Sequence, residues 1–377
     1  MRVVFHAPLK PPDHPEPSGD RAMARLILVA LRLAGVAAET PCGLRMFDRD
    51  GDERLTARLT EEARRQAGAY AREVRQRPTP ERPRAVLSYH VHYKAPDVFG
   101  PAVASALGLP YLVAEGSRAP KRAHGPWSLG HALTEAALDR ADAVLVMNPA
   151  DREMLEAARP PGQRLLSFPP FLDAQAWPDA SGQRGARAPD APAALLAVAM
   201  MRPGDKVASY RLLAESLEEA RDAAWTLDVV GDGAARAEVE AAFAPLRERV
   251  RFHGALGPDD LARRYAMADL LVWPAVREAY GMAFLEAALQ GCPALAGDFG
   301  GVGTVVLDGV TGVLAPAGDA RAFADALRRL LADRAALGTL GSAARRRVLA
   351  SCSTAGAAQI LRAALDDACA TVQGPPP

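Results

Sequence analysis

The sequence predicts an α/β protein with two domains, each built on a parallel β-sheet. Short apolar runs alternate with amphipathic helical stretches along the 377 residues, and this alternation is typical of parallel sheets. Residues 169–192 interrupt the pattern, because they are rich in Pro, Gly, Ala and Asp and have no periodicity. Since domain boundaries fall in stretches of this composition, we expect two separately wound domains.

The expected domains have definite ranges. An N-terminal domain covers residues 1–175, a linker 176–192 and a C-terminal domain 193–354. Residues 355–377 should form a last helix and a loose tail, with packing of the helix on the N-terminal domain as one arrangement. Apolar runs predict strands at 2–6, 85–90, 111–114, 143–147, 164–168, 195–200, 226–230, 250–253, 270–273, 293–296 and 312–314. Amphipathic stretches predict helices at 21–33, 53–77, 134–140, 210–221, 235–246, 261–267, 282–290 and 320–331.

The composition excludes several classes of protein. Hydrophobic residues make up 49% and charged residues 24% of the chain, which excludes an intrinsically disordered protein. Lys+Arg and Asp+Glu both number 45, so the chain lacks the basic charge that nucleic-acid binding requires. The four cysteines form no C-x-x-C pair, and no signal peptide is recognised at the start. We therefore expect a cytoplasmic protein with no metal site and no nucleic-acid partner.

The helix expected over residues 53–77 is rich in arginine. One interpretation places this helix on an anionic lipid surface, as a peripheral contact at the inner face of the membrane. The other interpretation is a solvated helix face whose arginines have glutamate partners such as Glu61, Glu62 and Glu73. The sequence leaves both open.

The segment REAYGMAFLEAALQGCP, residues 277–293, places two carboxylates around the start of a helix. Glu278 should lie on the loop before the helix, and Glu286 about one turn inside it. Free N–H groups at a helix start can hold a phosphate, and carboxylates accept hydrogen bonds from sugar hydroxyls. The pair suits a ligand with hydroxyl groups on both sides of a diphosphate. An exposed loop glutamate and a solvated helix glutamate would give the same pattern.

Two strand-to-helix loops contain further candidates. Arg202 and Lys206 follow the strand at 195–200, where cations can neutralise a diphosphate, although two ordinary loop cations are the alternative. Gly231 and Gly233 follow the strand at 226–230, but Arg236 occupies the third glycine position of a dinucleotide fingerprint. A nicotinamide cofactor is therefore not expected.

Taken in order, residues 195–345 resemble the family 4 retaining glycosyltransferases of the GT-B fold. The motifs that carry the resemblance are MRPGDK, VVGDG, VRFHG, LLVWP, the two glutamates, QGCPALAGDFGG and DGVTGVLAPAGD. The resemblance implies two Rossmann-like parallel-sheet domains that face each other across a donor and acceptor cleft. It also implies transfer of a hexose-type sugar from a nucleotide-diphosphate donor to a hydroxyl acceptor, with retained anomeric configuration and without a required metal, a cofactor or a protein nucleophile.

The resemblance assigns roles to individual residues of the C-terminal domain. Arg202 and Lys206 should bind the donor diphosphate, and Glu278 should hold the hydroxyl groups of the donor sugar. The other donor contacts implied are the backbone N–H groups of Gly281, Met282 and Ala283, the ribose-binding Glu286, and Gly231 and His253 near the base. The nucleotide implied is UDP or GDP.

The N-terminal half resembles the family more loosely. Gly19 stands in the loop after the first strand, which in the family faces the donor phosphates and the acceptor, so the resemblance makes Gly19 a donor-binding residue. His90 and His92 follow the next main strand, where either is a candidate ligand contact. The candidate catalytic residues are Glu278, Arg202, Lys206, His92 and Glu115. Lys121 is a candidate on the acceptor side. The chain departs from the family pattern at Gly116, where many relatives have histidine, at Thr304, where they have glutamate, and in the shorter Arg202–Lys206 spacing.

The sequence does not distinguish between several acceptor classes or between three types of activity. A saccharide, a lipid-linked molecule or a small hydroxyl compound could accept the sugar. A sugar-nucleotide epimerase of the same fold would isomerise its substrate without any acceptor. A non-catalytic sugar- or nucleotide-binding scaffold would tolerate the loss of Glu278 and Arg202, whereas an enzyme would not.

Overall fold

The computed structural model describes residues 1–16, 18–183 and 191–373. The chain forms two compact units, Met1–Pro169 together with the chain from Thr354 onward, and Pro170–Ser353. The expected linker and the expected tail include residues 184–190 and 374–377, which lie outside the described residues. The domain ranges expected from the sequence stay a prediction.

The first unit contains a six-stranded parallel sheet in the order β2-β1-β3-β4-β5-β6. Its strands are β1 (Arg2–His6), β2 (Ala37–Glu39), β3 (Ala85–Val91), β4 (Tyr111–Gly116), β5 (Ala143–Val146) and β6 (Arg164–Ser167). Its helices are α1 (Gly19–Leu33), α2 (Glu53–Gln76), α3 (Phe99–Leu107), α4 (Ser128–Arg140), α5 (Pro149–Ala157) and the last helix of the chain, α13 (Thr354–Gln373).

The second unit also contains a six-stranded parallel sheet, in the order β12-β11-β10-β7-β8-β9. Its strands are β7 (Ala193–Val198), β8 (Trp225–Val230), β9 (Val250–Phe252), β10 (Leu270–Trp273), β11 (Ala294–Asp298) and β12 (Gly312–Pro316). Its helices are α6 (Asp205–Glu219), α7 (Arg236–Ala242), α8 (Pro258–Met267), α9 (Met282–Leu289), α10 (Val302–Val305), α11 (Ala320–Ala332) and α12 (Arg334–Ser351).

The fold class expected from the sequence is therefore confirmed as α/β with two parallel sheets. Each predicted strand overlaps an observed strand. Strand β2 was missed because its three residues, Ala-Ala-Glu, contain no long apolar run. Helices α3, α5, α10 and α12 were also missed.

The core of the first unit lies against its sheet. Val4, Val86, Val113 and Val144 come from four neighbouring strands and form a buried cluster with residues of α2 and α3. The last helix also belongs to this unit, since Asp367 forms an ion pair of 2.9 Å with Arg164 at β6. Thus chain segments far apart in sequence belong to one compact unit.

Part of the expected linker packs on the second unit. The backbone N–H of Ala180 donates to Gln290 Oε1 (2.9 Å), and Gln290 Nε2 donates to the carbonyl of Pro178 (2.8 Å). Ala180 is buried beside Ala262 and Ala266 of α8. A segment without periodicity can thus be held by side-chain hydrogen bonds and small apolar contacts, which composition does not reveal.

The arginine-rich helix α2 has a mixed surface. Arg65 pairs with Glu62, and Arg77 pairs with Glu39 and Glu73. In the described part of the chain, the exposed Arg58 and Arg64 have no carboxylate partner. No helix among the described residues combines the length and the apolar character needed to cross a bilayer.

Each sheet has one topological switch point, which is the place where the strand order reverses its direction. In the first unit the chain leaves β1 toward β2 and returns on the other side to β3; in the second it leaves β7 toward β8 and returns to β10. In open parallel sheets, ligands bind at the carboxyl ends of the strands next to such a point. The loops after β1 and β3, and those after β7 and β10, are therefore where binding residues are expected.

Candidate active site

The loops after β7 and β10 bring two predicted site residues into contact. Lys206 Nζ forms an ion pair with Glu278 Oε2, and both side chains are largely shielded from solvent. Trp273, the last residue of β10, donates from Nε1 to the same oxygen of Glu278 (3.3 Å). Lys206 Nζ also lies 5.5 Å from the centre of the Trp273 ring. Glu278 is thus fixed by a cation and a neutral donor at the switch point.

Helix α9 begins beside this pair without a side-chain cap. Its N-cap is Gly281, which has φ +73°, a conformation that favours glycine. No side chain of a described residue accepts from the first helical N–H groups. A Cβ at Gly281 would lie 2.6 Å from the ring of Phe284. The N–H groups of Met282 and Ala283 therefore remain available to an anionic ligand.

The backbone before α9 is unusual. Ala275 and Arg277 have φ of +56° and +50°, although neither is glycine. The N–H of Val276 donates to Ser209 Oγ (3.0 Å), which ties this loop to α6. Strained loop residues held by their surroundings are typical of binding and catalytic sites.

Glu286 lies one turn inside α9 and accepts a hydrogen bond from Tyr265 Oη (2.8 Å). Burial raises the pKa of the Glu286 carboxyl to about 6, while the bond from Tyr265 lowers it in part. Near neutral pH the group is mostly a carboxylate, and its Oε1 accepts no hydrogen bond from the described residues. Such an oxygen can accept a hydrogen bond from a ribose hydroxyl.

Arg202 lies on the loop between β7 and α6, and its side chain is exposed. Among the described residues it has no hydrogen-bond or ion-pair partner. An unpaired guanidinium at the carboxyl end of a switch-point strand is suited to a phosphate group.

Close packing of the loops after β7 and β8 explains the glycine pair that follows β8. A Cβ at Gly231 would lie 1.9 Å from the carbonyl oxygen of Ala199, so only glycine allows the loops after β7 and β8 to pack this closely. The N–H of Gly231 donates to the carbonyl of Gly254 (2.8 Å), which brings the loop after β9 alongside.

His253 follows β9 and is held by two charged neighbours. Its Nε2 lies 2.8 Å from Asp228 Oδ1, and Arg264 Nη2 lies 3.3 Å from its Nδ1. Arg264 also donates to Asp228 Oδ2 (2.9 Å). Since arginine only donates, Nδ1 accepts and Nε2 carries the proton.

In the first unit, His90 lies among carboxylates. Its Nδ1 is 2.9 Å from Asp20 Oδ1 and 3.8 Å from Glu115 Oε2. Burial lowers the pKa of His90, but the carboxylates of Glu115 and Asp20 outweigh it, and the pKa rises to about 9. His90 is therefore an imidazolium at neutral pH. Both His90 and Glu115 adopt positive φ, +59° and +62°.

His92 lies next to His90 but has the opposite character. Burial, with the cations His90 and Lys94, lowers the pKa of His92 to about 3. Its Nδ1 accepts from the backbone N–H of Lys94 (3.2 Å), so Nε2 carries the proton. His92 is thus a neutral hydrogen-bond donor at Nε2.

The remaining positions singled out in the sequence lie on α1, at the end of β4 and in the turn after it, and Thr304 lies in the second unit. Gly19 is the first residue of α1, whose N-cap Ser18 accepts from the N–H of Arg21 (3.2 Å). Lys121 is exposed in a 3₁₀ turn, Pro120–Arg122. At Gly116 a Cβ would lie 2.5 Å from Leu138 Cδ2, so a larger residue at this position requires the Leu138 side chain to shift. The hydroxyl of Thr304 donates to the carbonyl of Gly301 (2.5 Å).

Sequence reasoning missed the partners of the predicted residues. Trp273 and Tyr265 hold the two glutamates, and Asp20 holds His90. In the sequence, only their positions pointed to the site: Trp273 is the last residue of a strand, and Asp20 follows Gly19. Within the described residues, no group of three or more His, Cys, Asp or Glu side chains could hold a metal ion.

The comparison with protein families concerns the second unit. Residues 192–333 match the family model described as glycosyl transferases group 1. This segment is thus similar to the group 1 glycosyltransferases. The resemblance expected from the sequence is confirmed there, and the glutamates, Arg202 and Lys206 all lie within it.

The matching curated proteins include D-inositol 3-phosphate glycosyltransferases. The protein from Nocardia farcinica is 41% identical over 101 residues, which are 27% of this chain and 22% of that protein. The one from Salinispora tropica is 40% identical over 106 residues, 28% of this chain and 22% of that protein. The match thus covers about a fifth of the length of these relatives.

Solved structures resemble nearly the whole chain. Sucrose-phosphate synthase from Thermosynechococcus elongatus has a TM-score of 0.70 at 20% identity and covers 97% of this chain and 98% of its own. Alr3699/HepE from Anabaena, solved in complex with UDP, has a TM-score of 0.69 at 16% identity, covering 97% and 100%. At such identity the likeness shows the fold, which is the expected GT-B fold. The cleft between the domains stays a prediction.

Proposed function

We propose that the protein is a retaining, family 4 glycosyltransferase that transfers a hexose from a nucleotide-diphosphate donor to a hydroxyl acceptor. The observation that carries this proposal is the Lys206–Glu278 pair beside the uncapped start of α9, inside the group 1 domain. A cation, free N–H groups and a carboxylate meet there, which is the set of groups that a sugar diphosphate requires. The sugar-nucleotide epimerase and the scaffold have no comparable support.

The donor contacts follow from the charges at the switch point. In this proposal Arg202 and Lys206 bind the diphosphate, together with the N–H groups of Met282 and Ala283. Glu278 exchanges its contact with Lys206 for the hydroxyl groups of the donor sugar. Glu286 binds the ribose, and the base lies near Gly231 and His253. UDP is supported by the UDP complex of the Anabaena neighbour, with GDP as the alternative.

The chemistry needs no protein nucleophile in this proposal. The bond from the anomeric carbon to the diphosphate oxygen breaks, and the acceptor oxygen forms its bond on the same face. The acceptor proton goes to the leaving diphosphate. Arg202, Lys206 and the helix N–H groups stabilise the charge that develops on that diphosphate, so no metal ion is required.

The first unit supplies the acceptor side in this proposal. His92 donates from Nε2 to a hydroxyl oxygen, and Glu115 accepts from a hydroxyl group. Gly19 leaves the start of α1 open to the ligand, and Lys121 lies at the acceptor side. A cytoplasmic location is part of the proposal, with α2 as the surface that would meet an anionic membrane.

Incubation with nucleotide sugars tests the activity directly. UDP-glucose, UDP-galactose, UDP-N-acetylglucosamine and GDP-mannose are each mixed with the protein, with and without polyol acceptors, and followed by ³¹P and ¹H NMR. We expect release of one nucleoside diphosphate in wild type, an α-linked product from an α-linked donor, and no reaction with Glu278→Ala. Isomerisation of a donor without acceptor would instead identify the epimerase, and a β-linked product would contradict retention.

A further inference from the structure

Four side chains of the first unit form a cation–aromatic cluster: Tyr93, Lys94, Arg122 and Trp127. The rings of Tyr93 and Trp127 meet edge to face with their centres 5.9 Å apart. Lys94 Nζ lies 5.0 Å from the centre of the Trp127 ring, and the Arg122 guanidinium lies 4.8 Å from it. The same two cations lie 6.0 Å and 5.3 Å from the Tyr93 ring. Two positive charges therefore share one pair of rings.

Neither cation is neutralised within the described residues. No carboxylate forms an ion pair with Lys94 or Arg122 there. Asp48 is tied to this loop, since its N–H donates to the carbonyl of Lys94 (2.8 Å), but its carboxylate accepts from Gly51 N–H (2.8 Å) and Thr56 Oγ1 (2.9 Å). The two like charges beside one pair of rings repel each other, and the rings offset the repulsion only in part.

The cluster also contains unsatisfied donors. Arg122 Nε and Trp127 Nε1 are buried atoms that have no hydrogen-bond partner in the described part of the chain. Buried polar atoms are normally paired, so an unpaired donor indicates a missing acceptor. Within the described residues, Lys94 and Arg122 have no carboxylate partner, and the Trp127 Nε1–H donor beside them has no acceptor. A ligand with negatively charged oxygens would suit both.

The cluster is continuous with the residues proposed for the acceptor side. The ring centres of His92 and Tyr93 are 5.9 Å apart, and the N–H of Lys94 donates to His92 Nδ1 (3.2 Å). Tyr93 and Lys94 follow β3, while Arg122 and Trp127 follow β4, and these strands are neighbours in the sheet. A ligand that meets His92 at the carboxyl end of β3 would therefore reach this cluster.

We infer that the sugar acceptor carries an anionic group, a phosphate monoester or a carboxylate, and that Lys94 and Arg122 bind this group against the rings of Tyr93 and Trp127. The inference rests on the proposed function, because it names the acceptor class of that activity. The hydroxyl that receives the sugar lies on the same molecule, on the His92 side of the anionic group.

Binding of a phosphorylated and an unphosphorylated sugar tests the inference. Glucose 6-phosphate and glucose are titrated calorimetrically into wild type, Arg122→Gln and Lys94→Gln/Arg122→Gln. The charge-matched control is Arg32→Gln/Arg159→Gln, which removes two exposed arginines of the first unit that have no carboxylate partner among the described residues. Circular dichroism and nucleoside-diphosphate binding by the second unit show that each variant is folded. Vesicles of phosphatidylinositol in phosphatidylcholine, against phosphatidylcholine alone, distinguish a lipid headgroup from a soluble acceptor.

We expect glucose 6-phosphate to bind wild type and the charge-matched control at least tenfold more tightly than glucose. The double variant should lose this preference, and Arg122→Gln alone should lose most of it. Vesicle binding that depends on Lys94 and Arg122 would place the anionic group on a lipid. Equal affinity for the two sugars, or an unchanged preference in the folded double variant, would overturn the inference. Absence of nucleoside-diphosphate binding in wild type would instead count against the proposed function.

Discussion

Arg202 is an exposed guanidinium without a partner among the described residues, and we expect its substitution to report directly on the donor diphosphate. Loss of a charge-assisted contact costs about 1–3 kcal/mol, so Arg202→Ala should weaken nucleoside-diphosphate binding about 5- to 150-fold. Arg221→Ala is the matched control, because Arg221 is also exposed but pairs with Glu218 at the end of α6. Calorimetric titration measures both, and equal dissociation constants for the two variants would remove Arg202 from the site.

The two glutamates should differ in what their removal abolishes. Glu278→Ala should stop sugar transfer while leaving free nucleotide binding nearly unchanged, because its contact is with Lys206 and, in our proposal, with the sugar. Glu286→Ala should weaken nucleotide binding itself, since we assign it to the ribose. Titrations of the free nucleotide and turnover assays on both variants check this. Loss of nucleotide affinity in Glu278→Ala alone would mean that the two roles are reversed.

The start of α9 is the element on which the donor site depends. Gly281→Ala forces a side chain into a backbone with φ +73° and into contact with Phe284. Strain of this kind costs about 1–3 kcal/mol, so we expect a lower unfolding temperature and at least tenfold weaker diphosphate binding.

Gly257→Ala provides the control for this substitution. Gly257 is the N-cap of α8, has φ −72°, and an added Cβ would meet no atom within 4 Å. We expect little change in stability or affinity. If Gly281→Ala binds the diphosphate as well as Gly257→Ala does, the helix start is not part of the site.

The sequence predicted the strands of the second unit and its helices except α10 and α12, but only part of its site. The motif around Glu278 and Glu286 predicted α9 because glycine and proline mark its ends. The same motif could not reveal Tyr265 or Trp273 as partners. Tyr265 on α8 contacts Glu286 on α9 across 21 residues, and Trp273 on β10 contacts Glu278 in the loop before α9 across 5 residues. The cation–aromatic cluster likewise depends on two strands being neighbours, which sequence alone did not show.

At the scale of the whole molecule, a buried ion pair in the first unit makes stability depend on pH. His6 Nδ1 lies 3.0 Å from Asp97 Oδ1, and both side chains have 0% exposure. Burial lowers the pKa of His6, but Asp97 outweighs it and raises the pKa from 6.5 to about 10. The folded state then holds a proton that the unfolded state releases above its own pKa of about 6.5.

The stabilisation from this pair should be fully present below pH 6.5 and decline as the pH rises toward 10. Denaturant unfolding at a series of pH values measures this, and Asp97→Ala, which breaks the pair, should cost about 3–5 kcal/mol at pH 6. A free energy of unfolding in wild type that does not fall between pH 7 and 10 would contradict the charged state of His6.

In our proposal, the second unit binds a nucleoside diphosphate through Arg202, Lys206 and Glu286. The most direct measurement is calorimetric titration of UDP and of GDP into wild type and into Arg202→Ala/Glu286→Ala, with EDTA present throughout. We expect one diphosphate to bind wild type saturably without added metal, and to bind the double variant at least a hundredfold more weakly. Binding of neither diphosphate, or equal affinity in the folded double variant, would contradict it.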